Sequence, residues 1–144
     1  GHVSEALIDH VDMLASLAAL VGQALPRDAA VDSFDMLIPL MGRSARGRDH
    51  VIEDTKLMVT TGTTVASSGA RILALRAGNW KFIRGSVKPH EFHGNAIGTL
   101  PRHQLYNLAR DPGEREDLAA KLPDLTATLA ARLDKIEKDG RSRP

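Results

Sequence analysis

Hydrophobic positions along the chain predict two amphipathic helices that flank a group of short strands. Residues 4–21 carry apolar residues at helical spacing, so we predict a helix that Ser4 caps and Gly22 ends. Residues 123–138 repeat that spacing, and Pro123 suits a first helical turn. The predicted inward faces are Leu7, Val11, Leu14, Ala18 and Val21 in the first helix, and Leu125, Leu129, Leu133 and Ile136 in the second.

A β-hairpin is predicted in the middle of the chain. Two runs of strand-forming residues, 71–76 and 79–84, flank Gly78, and glycine supplies the positive φ that a tight reversal needs. Trp80 and Phe82 are expected on the same face of the second strand. Because the first strand is apolar on both faces, we expect the hairpin to need cover on both sides, partly from outside the chain.

Two further strands, near 50–60 and 104–108, complete the predicted sheet, because strands that are adjacent in sequence usually pair. The connecting stretches 60–69 and 86–103 are polar and are predicted to be loops. The fold prediction is therefore α+β: a small four-stranded antiparallel sheet packed against a C-terminal amphipathic helix, with an N-terminal helix.

Three shorter features are predicted between these elements. A short helix is expected at 34–41, where Pro39 would end or kink it. Pro112 and Gly113 occupy the two central positions of a predicted type II turn. The basic loop 42–48 is interpreted as solvated, with all of its arginines in water: Arg43, Arg46 and Arg48.

Length and composition favour one folded domain, which we place at residues 3–138. A chain of 144 residues can bury a core, and an apolar share of 42% disfavours disorder. Gly1-His2 is typical of a tag remnant, so we expect an excised piece, and residues 139–144 are expected to fray.

Charge and cysteine content limit the possible partners. A net charge of +1 and 3% aromatic residues favour neither nucleic acid nor a membrane surface as a partner. The absence of cysteine removes disulfides and thiolate chemistry. It leaves the compartment open, and both the cytoplasm and the periplasm are compatible with it.

The best metal-like cluster lies in the second polar loop. His90 and His93 are three residues apart, and His103 offers a third ligand. Pro89 and Gly94 disfavour a helix that would present both imidazoles on one face. We therefore interpret the cluster as a polar surface loop and predict no metal site.

No other combination of residues predicts catalysis. A triad of Ser67, His90 and Asp54 has no Gly-X-Ser-X-Gly elbow to support it, and residues 62–64 match only part of a phosphate loop. Two carboxylate pairs are more typical of a turn and of a helix surface, where solvent or arginine would meet them: Asp111 with Glu114, and Asp9 with Asp12. We predict no catalytic residue.

Three patches in the first half of the chain follow a known family pattern. Residues 11–22 are similar to a Val-Asp-Leu-X-Pro-Thr-Leu helix that ends in glycine, with Ala15 and Ser16 in place of Pro-Thr. Residues 25–42 are similar to an Asp-Gly-X-Ser-Leu-X-Pro-Leu-Leu-X-Gly segment, with Ser33 in place of the glycine. Residues 48–53 are similar to the strand that follows it.

Two stronger patches lie downstream. Residues 74–83 resemble Arg-X-Gly-X-Trp-Lys-Leu-Ile, and residues 105–119 resemble Leu-Tyr-Asp-Leu-X-X-Asp-Pro-X-Glu-X-X-Asn-Leu. All five patches, in this order, resemble the carboxyl-terminal portion of the arylsulfatase-type sulfatases, within the alkaline-phosphatase-like superfamily. The resemblance covers most of residues 3–138.

The resemblance implies a parent enzyme that hydrolyses sulfuric esters. In that family a Cys/Ser-X-Pro-X-Arg motif yields formylglycine, and a divalent cation, usually calcium, neutralises sulfate charge. Neither that motif nor an Asp-Asp metal pair occurs here, so no catalytic or metal-binding residue is carried over. The resemblance implies a structural and pocket-shaping subdomain that packs on a missing catalytic domain and is inactive alone.

Two predictions about surfaces and two alternative functions accompany this interpretation. Four basic residues are expected at the rim of the parent's substrate pocket, and an exposed apolar face is expected to allow self-association. The alternatives are a free-standing interaction module without an enzymatic parent and the equivalent segment of a phosphoesterase of the same superfamily. The expected rim residues are Lys88, His90, His93 and Arg102.

Overall fold

The computed structural model describes residues 3–61, 64–86, 91–92, 95–96 and 100–143. They divide into two compact units, Gly1–Val51 with Asp134–Pro144 and Ile52–Leu133. This division does not test the single domain placed at 3–138, which stays a prediction. In chain order the elements are a 3-10 turn (His10–Asp12), α1 (Met13–Leu20), α2 (Leu37–Leu40), β1 (Val51–Thr61), β2 (Thr64–Ala77), β3 (Trp80–Ile83), β4 (Glu91–Phe92), β5 (Asn95–Ala96), β6 (Gln104–Asn107) and α3 (Pro123–Asp139).

The second unit is built on a four-stranded antiparallel sheet of order β1-β2-β3-β6. With the N-terminal and C-terminal helices, this sheet confirms the α+β prediction. Leu75 pairs with Phe82, which pairs with Leu105, and all three side chains are fully buried. On the opposite face Ala74 and Ile83 are also buried. The hairpin faces are therefore covered within this chain, and the expectation of outside cover for them is wrong.

The reversal between β2 and β3 follows the predicted turn chemistry. Gly78 has φ +56°, and it stands at the first central position of the two-residue loop between Ala77 and Trp80. A positive φ at that position is typical of a type II′ hairpin turn, which matches the twist of the strands. Gly78 therefore sets the register that places Leu75 opposite Phe82.

The two predicted polar loops contain more strand than expected. The backbone continues as β1 to Thr61 and resumes as β2 at Thr64, inside the predicted loop 60–69. Threonine and valine are good strand formers, and pairing of their backbone groups does not require an apolar side chain to bury. The loop 86–103 contains the short antiparallel pair β4–β5.

The N-terminal helix begins later than predicted. Asp9 caps the 3-10 turn in a capping box, in which the Asp12 carboxylate accepts the Asp9 N–H at 2.9 Å. The Ser4 hydroxyl accepts the Ala6 N–H instead, a local turn that competes with a helix start. Gly22 has φ +72° just after the helix, which confirms its predicted role as the helix end.

The predicted inward face of α1 is wrong. Asp12, Ala15 and Ser16 are buried, whereas Leu14 is 57% exposed and Val21 is 68% exposed. The prediction assumed that the apolar stripe of a helix faces the core of its own chain. In this structure hydrogen bonds of the polar residues fix the buried side, and the aliphatic side is left outward.

The C-terminal helix confirms its prediction. It spans Pro123–Asp139, with Leu129 and Leu133 buried on the predicted face. The tail after it, as far as Arg143, forms hydrogen bonds with an earlier loop, and its expected fraying stays a prediction. The Arg143 guanidinium donates to the carbonyl oxygens of Pro26 and Ala29, both at 2.9 Å.

Two shorter predictions need correction. The predicted helix at 34–41 is reduced to one turn, α2, which includes Pro39. The turn at Asp111 is not type II, because the positive φ of +52° falls on Glu114 and not on Gly113. The Asp111 carboxylate stabilises this turn by accepting two successive backbone N–H groups, from Arg115 at 2.7 Å and Glu116 at 2.8 Å.

Candidate functional site

The predicted pocket rim is only partly described. Lys88, His90 and His93 lie outside the described residues. Arg102 is described: its side chain is 67% exposed, and its guanidinium lies 3.6 Å from the Asp117 carboxylate. The rim therefore stays a prediction for all four residues.

The third histidine of the metal-like cluster has a structural partner. His103 Nδ1 accepts the backbone N–H of Gly85 at 3.0 Å, and the ring lies 5.0 Å from the Phe82 ring. Within the described ranges, no group of three or more His, Cys, Asp or Glu side chains is arranged to hold a metal ion. None of the helices described there is long and apolar enough to cross a membrane.

The other candidate groups are separated by their partners. Asp54 was considered in a triad with Ser67 and His90. It forms an exposed ion pair with Arg71 at 2.6 Å, and His90 lies outside the described residues. The Asp111 carboxylate holds its own turn, whereas the Glu114 carboxylate accepts from Lys81 at 2.9 Å. The carboxylates of Asp54, Asp111 and Glu114 therefore have structural roles in the described part of the chain.

The most built-up polar arrangement of the first unit centres on Asp12, which the sequence analysis places on a helix surface beside solvent or arginine and which the structure buries beside Arg48. Asp12 is fully buried, and its Oδ1 accepts the Phe34 N–H at 2.9 Å and Arg48 Nη1 at 2.8 Å. Ser16 donates to the Asp12 carbonyl at 2.7 Å and accepts the Met36 N–H at 2.9 Å. We call Asp12, Ser16, Ser33 and Arg48 the polar cluster.

Arg48 corrects the interpretation of the basic loop. It was expected in water, but it is only 8% exposed, and its Nε donates to the His50 carbonyl at 2.9 Å. Its guanidinium carbon lies 4.5 Å from the centroid of the Phe34 ring, a cation–π distance. Next to Arg48, the backbone of Gly47 lies very close to the backbone of Leu7. A Cβ on Gly47 would lie only 2.2 Å from the Leu7 carbonyl oxygen. Arg48 is thus held for structure and not for an incoming anion.

The polar cluster leaves the other side of α1 outward and apolar. Residues 13–21 contain no charged residue, and α1 packs against α2, whose outer side is also aliphatic. We call this exposed aliphatic set the α1–α2 surface; its members are 43–58% exposed. They are Val11, Leu14, Leu17, Leu20, Ile38 and Leu40.

A second charged arrangement lies on the sheet. Lys81 Nζ lies 3.2 Å from the Glu53 carboxylate and 2.9 Å from the Glu114 carboxylate. Burial lowers the pKa of Lys81, but hydrogen bonds and charge attraction from the two glutamates outweigh it and raise that pKa above its usual value. Arg76 and Tyr106 lie opposite Lys81 on the neighbouring strands. Glu53, Lys81 and Glu114 thus form a charge group that joins β1, β3 and the turn after β6.

The described residues do not fit the groups that the sulfatase resemblance implies. Asp12, Asp111 and Asp117 each accept backbone N–H groups, and Asp12 is also neutralised by Arg48. The chain has neither cysteine nor a Ser-X-Pro-X-Arg motif from which formylglycine is made. No step through calcium or formylglycine is therefore assigned to these residues.

Comparison with known proteins identifies a relative among curated sequences. No protein-family model matches the chain. An N-acetylgalactosamine-6-O-sulfatase of Bacteroides thetaiotaomicron is 30% identical over 135 residues, which are 92% of this chain and 24% of the relative. The chain thus spans about a quarter of the length of this curated relative.

Solved structures give the same relationship. A sulfatase structure from work on the metabolism of multiple glycosaminoglycans by Bacteroides thetaiotaomicron superposes with a TM-score of 0.78 and 30% identity, over 94% of this chain and 26% of that one. Ps i-CgsB, in complex with k-i-k-neocarrahexaose, shares the fold at a TM-score of 0.59, with 18% identity over 86% of this chain and 23% of that one. The sequence and fold relationships together confirm the resemblance of this chain to the carboxyl-terminal portion of the sulfatases.

Proposed function

We propose that this chain serves as the carboxyl-terminal subdomain of a sulfuric ester hydrolase. Its role is to support the catalytic domain and to shape the mouth of the substrate pocket. The catalytic nucleophile lies in the remainder of the polypeptide. The chain alone does not hydrolyse sulfate esters.

The coverage of the relatives is the observation that carries this proposal. A sulfatase matches 92% of this chain, but the match uses only 24% of that sulfatase. The carboxylates of the matching patches have structural roles: Asp12 anchors α1, Asp111 closes a turn, and Asp117 Oδ1 accepts the Leu105 N–H at 3.1 Å. A segment whose motif residues maintain the fold is expected to support chemistry that is performed elsewhere.

The test compares the chain with the longer polypeptide that would contain it. Both are assayed with an aryl sulfate, with 6-O-sulfated N-acetylgalactosamine and with the corresponding phosphate esters. Sulfate release by the longer polypeptide alone, abolished by substitution of its Cys/Ser-X-Pro-X-Arg nucleophile, supports the proposal. Phosphate release alone supports a phosphoesterase, and a reading frame without that motif supports a free-standing interaction module.

The pocket-shaping role has its own test at the proposed rim. Lys88, His90, His93 and Arg102 would attract an anionic ester at the entrance, where exposed charge acts on association more than on chemistry. Substitution of His90 and His93 by glutamine in the longer polypeptide is expected to raise KM and leave kcat unchanged. His10→Gln, outside this loop, is the matched control. Unchanged kinetics in the double variant would remove the rim from the proposal.

A further inference from the structure

The α1–α2 surface is the largest concentration of exposed aliphatic side chains among the described residues. Leu14, Leu17 and Leu20 are each at least half exposed, and residues 13–21 carry no charge at all. An amphipathic surface helix places polar residues outward, whereas a helix that is apolar all round is buried in the complete protein. Exposed aliphatic surfaces of this kind are typical of interaction sites.

The helix cannot rotate to bury these leucines within its own unit. The buried side is fixed by hydrogen bonds from Asp12 to the Phe34 N–H and Arg48, and from the Ala15 N–H to Ser33. Rotation would leave the carboxylate and the guanidinium buried without their partners, which is strongly unfavourable. The polar cluster thus holds the aliphatic side outward, in a defined orientation.

We infer that the catalytic remainder of the sulfatase polypeptide packs on the α1–α2 surface. This inference rests on the proposed function. The chain matches only 24% of its curated relative, so most of such a polypeptide lies outside it and must pack against it somewhere. The surface has no charge that would match a polar partner, and uncharged aliphatic contacts are typical of permanent interfaces and domain cores. A second copy of the chain is the competing occupant.

The 144-residue chain has no cysteine, so an introduced thiol is its only one, and peptide analysis identifies the same thiol in the longer polypeptide. Leu17→Cys and, as a buried standard, Ala15→Cys are placed separately in the longer sulfatase polypeptide and in the 144-residue chain. Maleimide labelling of each introduced thiol is followed by peptide mass spectrometry. The same proteins unfolded in urea give the rate for a free thiol. Light scattering establishes the concentrations at which each protein is a monomer, and circular dichroism confirms that each variant folds.

Protection of the Leu17→Cys thiol in the monomeric longer polypeptide supports the inference. We expect labelling to be at least about tenfold slower there than in the monomeric 144-residue chain, because thiol labelling depends on access of the thiolate. Equal, fast labelling in both proteins overturns the inference. In the longer polypeptide, protection that appears only as its concentration rises assigns the surface to a second copy and also overturns the inference.

The assay separates this inference from the proposed function. Sulfate ester hydrolysis is measured on the same longer polypeptide. Activity with an unprotected Leu17→Cys thiol contradicts the packing inference and leaves the proposed function intact. Protection without any sulfatase activity contradicts the proposed function and leaves the packing inference intact.

Discussion

The backbone N–H of Ala15 donates a buried hydrogen bond to the hydroxyl of Ser33 at 2.9 Å. These are two of the positions at which the chain departs from the sulfatase pattern, which has proline and glycine there. Proline has no N–H to donate, and glycine has no hydroxyl to accept. The two departures therefore compensate each other: one supplies a donor in a buried site, and the other supplies its acceptor.

This pairing predicts that the two positions are coupled. Ser33→Gly alone leaves the Ala15 N–H buried without an acceptor, and we expect a loss of about 1–3 kcal/mol in the free energy of unfolding. Adding Ala15→Pro removes that donor, so the double variant should recover part of the loss. Urea denaturation of both single variants and the double variant measures the coupling. Additive losses would contradict it, and Ser44→Ala, which removes an exposed acceptor, is the control.

The buried ion pair predicts a larger effect. Asp12→Ala leaves Arg48 buried without its carboxylate and removes the acceptor of the Phe34 N–H. Breaking such a pair by removing one partner costs about 3–5 kcal/mol, so we expect Asp12→Ala to unfold at much lower urea concentration. The matched control is Asp54→Ala, which removes the exposed pair with Arg71 and should cost less than about 1 kcal/mol. Similar midpoints for the two variants would contradict the assignment.

The contrast between α3 and Arg48 shows which features of the fold the sequence predicts and which it does not. Local spacing determines α3 and the Gly78 turn, because the residues that decide each are neighbours in the chain. Arg48 is buried because of Asp12, which lies 36 residues earlier, and no local pattern predicts that meeting. The prediction that Leu14 faces the core is wrong because periodicity shows that an apolar stripe exists on the helix but not which surface covers it.

The close approach at Gly47 predicts a steric effect on the same unit. A Cβ at this position would lie 2.4 Å from the Leu7 nitrogen, and the next residue, Arg48, donates its N–H to the Leu7 carbonyl at 2.7 Å. Gly47→Ala must therefore displace backbone and is expected to lower the thermal midpoint and to weaken the Asp12 pair. Gly22→Ala is a useful comparison, since nothing lies near its Cβ and only its φ of +72° is strained. If the thermal midpoint of Gly47→Ala equals that of the wild type, the backbones of Gly47 and Leu7 do not lie this close in solution.

The exposed α1–α2 surface predicts association of the 144-residue chain. With no other cover for Leu14 and Leu17, raising the concentration should favour contacts that remove them from water. Multi-angle light scattering is expected to show a mass that rises with concentration in the wild type but not in Leu14→Glu/Leu17→Glu. The control is Leu122→Glu, at an exposed leucine outside this surface. A monomer at every concentration would contradict the prediction.

The Lys81 group predicts a stability contribution that disappears in alkali. The folded pKa of Lys81 is raised by Glu114 and Glu53, so folding favours the protonated lysine. The contribution is complete below the unfolded pKa of about 10.4 and is lost as pH rises through the higher folded pKa.

Lys81→Met keeps the apolar stem but removes the charge, so the stability difference from the wild type should be constant from about pH 7 to 10 and shrink above that. Subtracting the two urea series at each pH removes the contributions that both proteins share. Lys135→Met, at an exposed pair with Asp139, is the matched control and should give a small difference throughout. A wild-type advantage that grows with alkali would show that the glutamates do not hold the proton on Lys81.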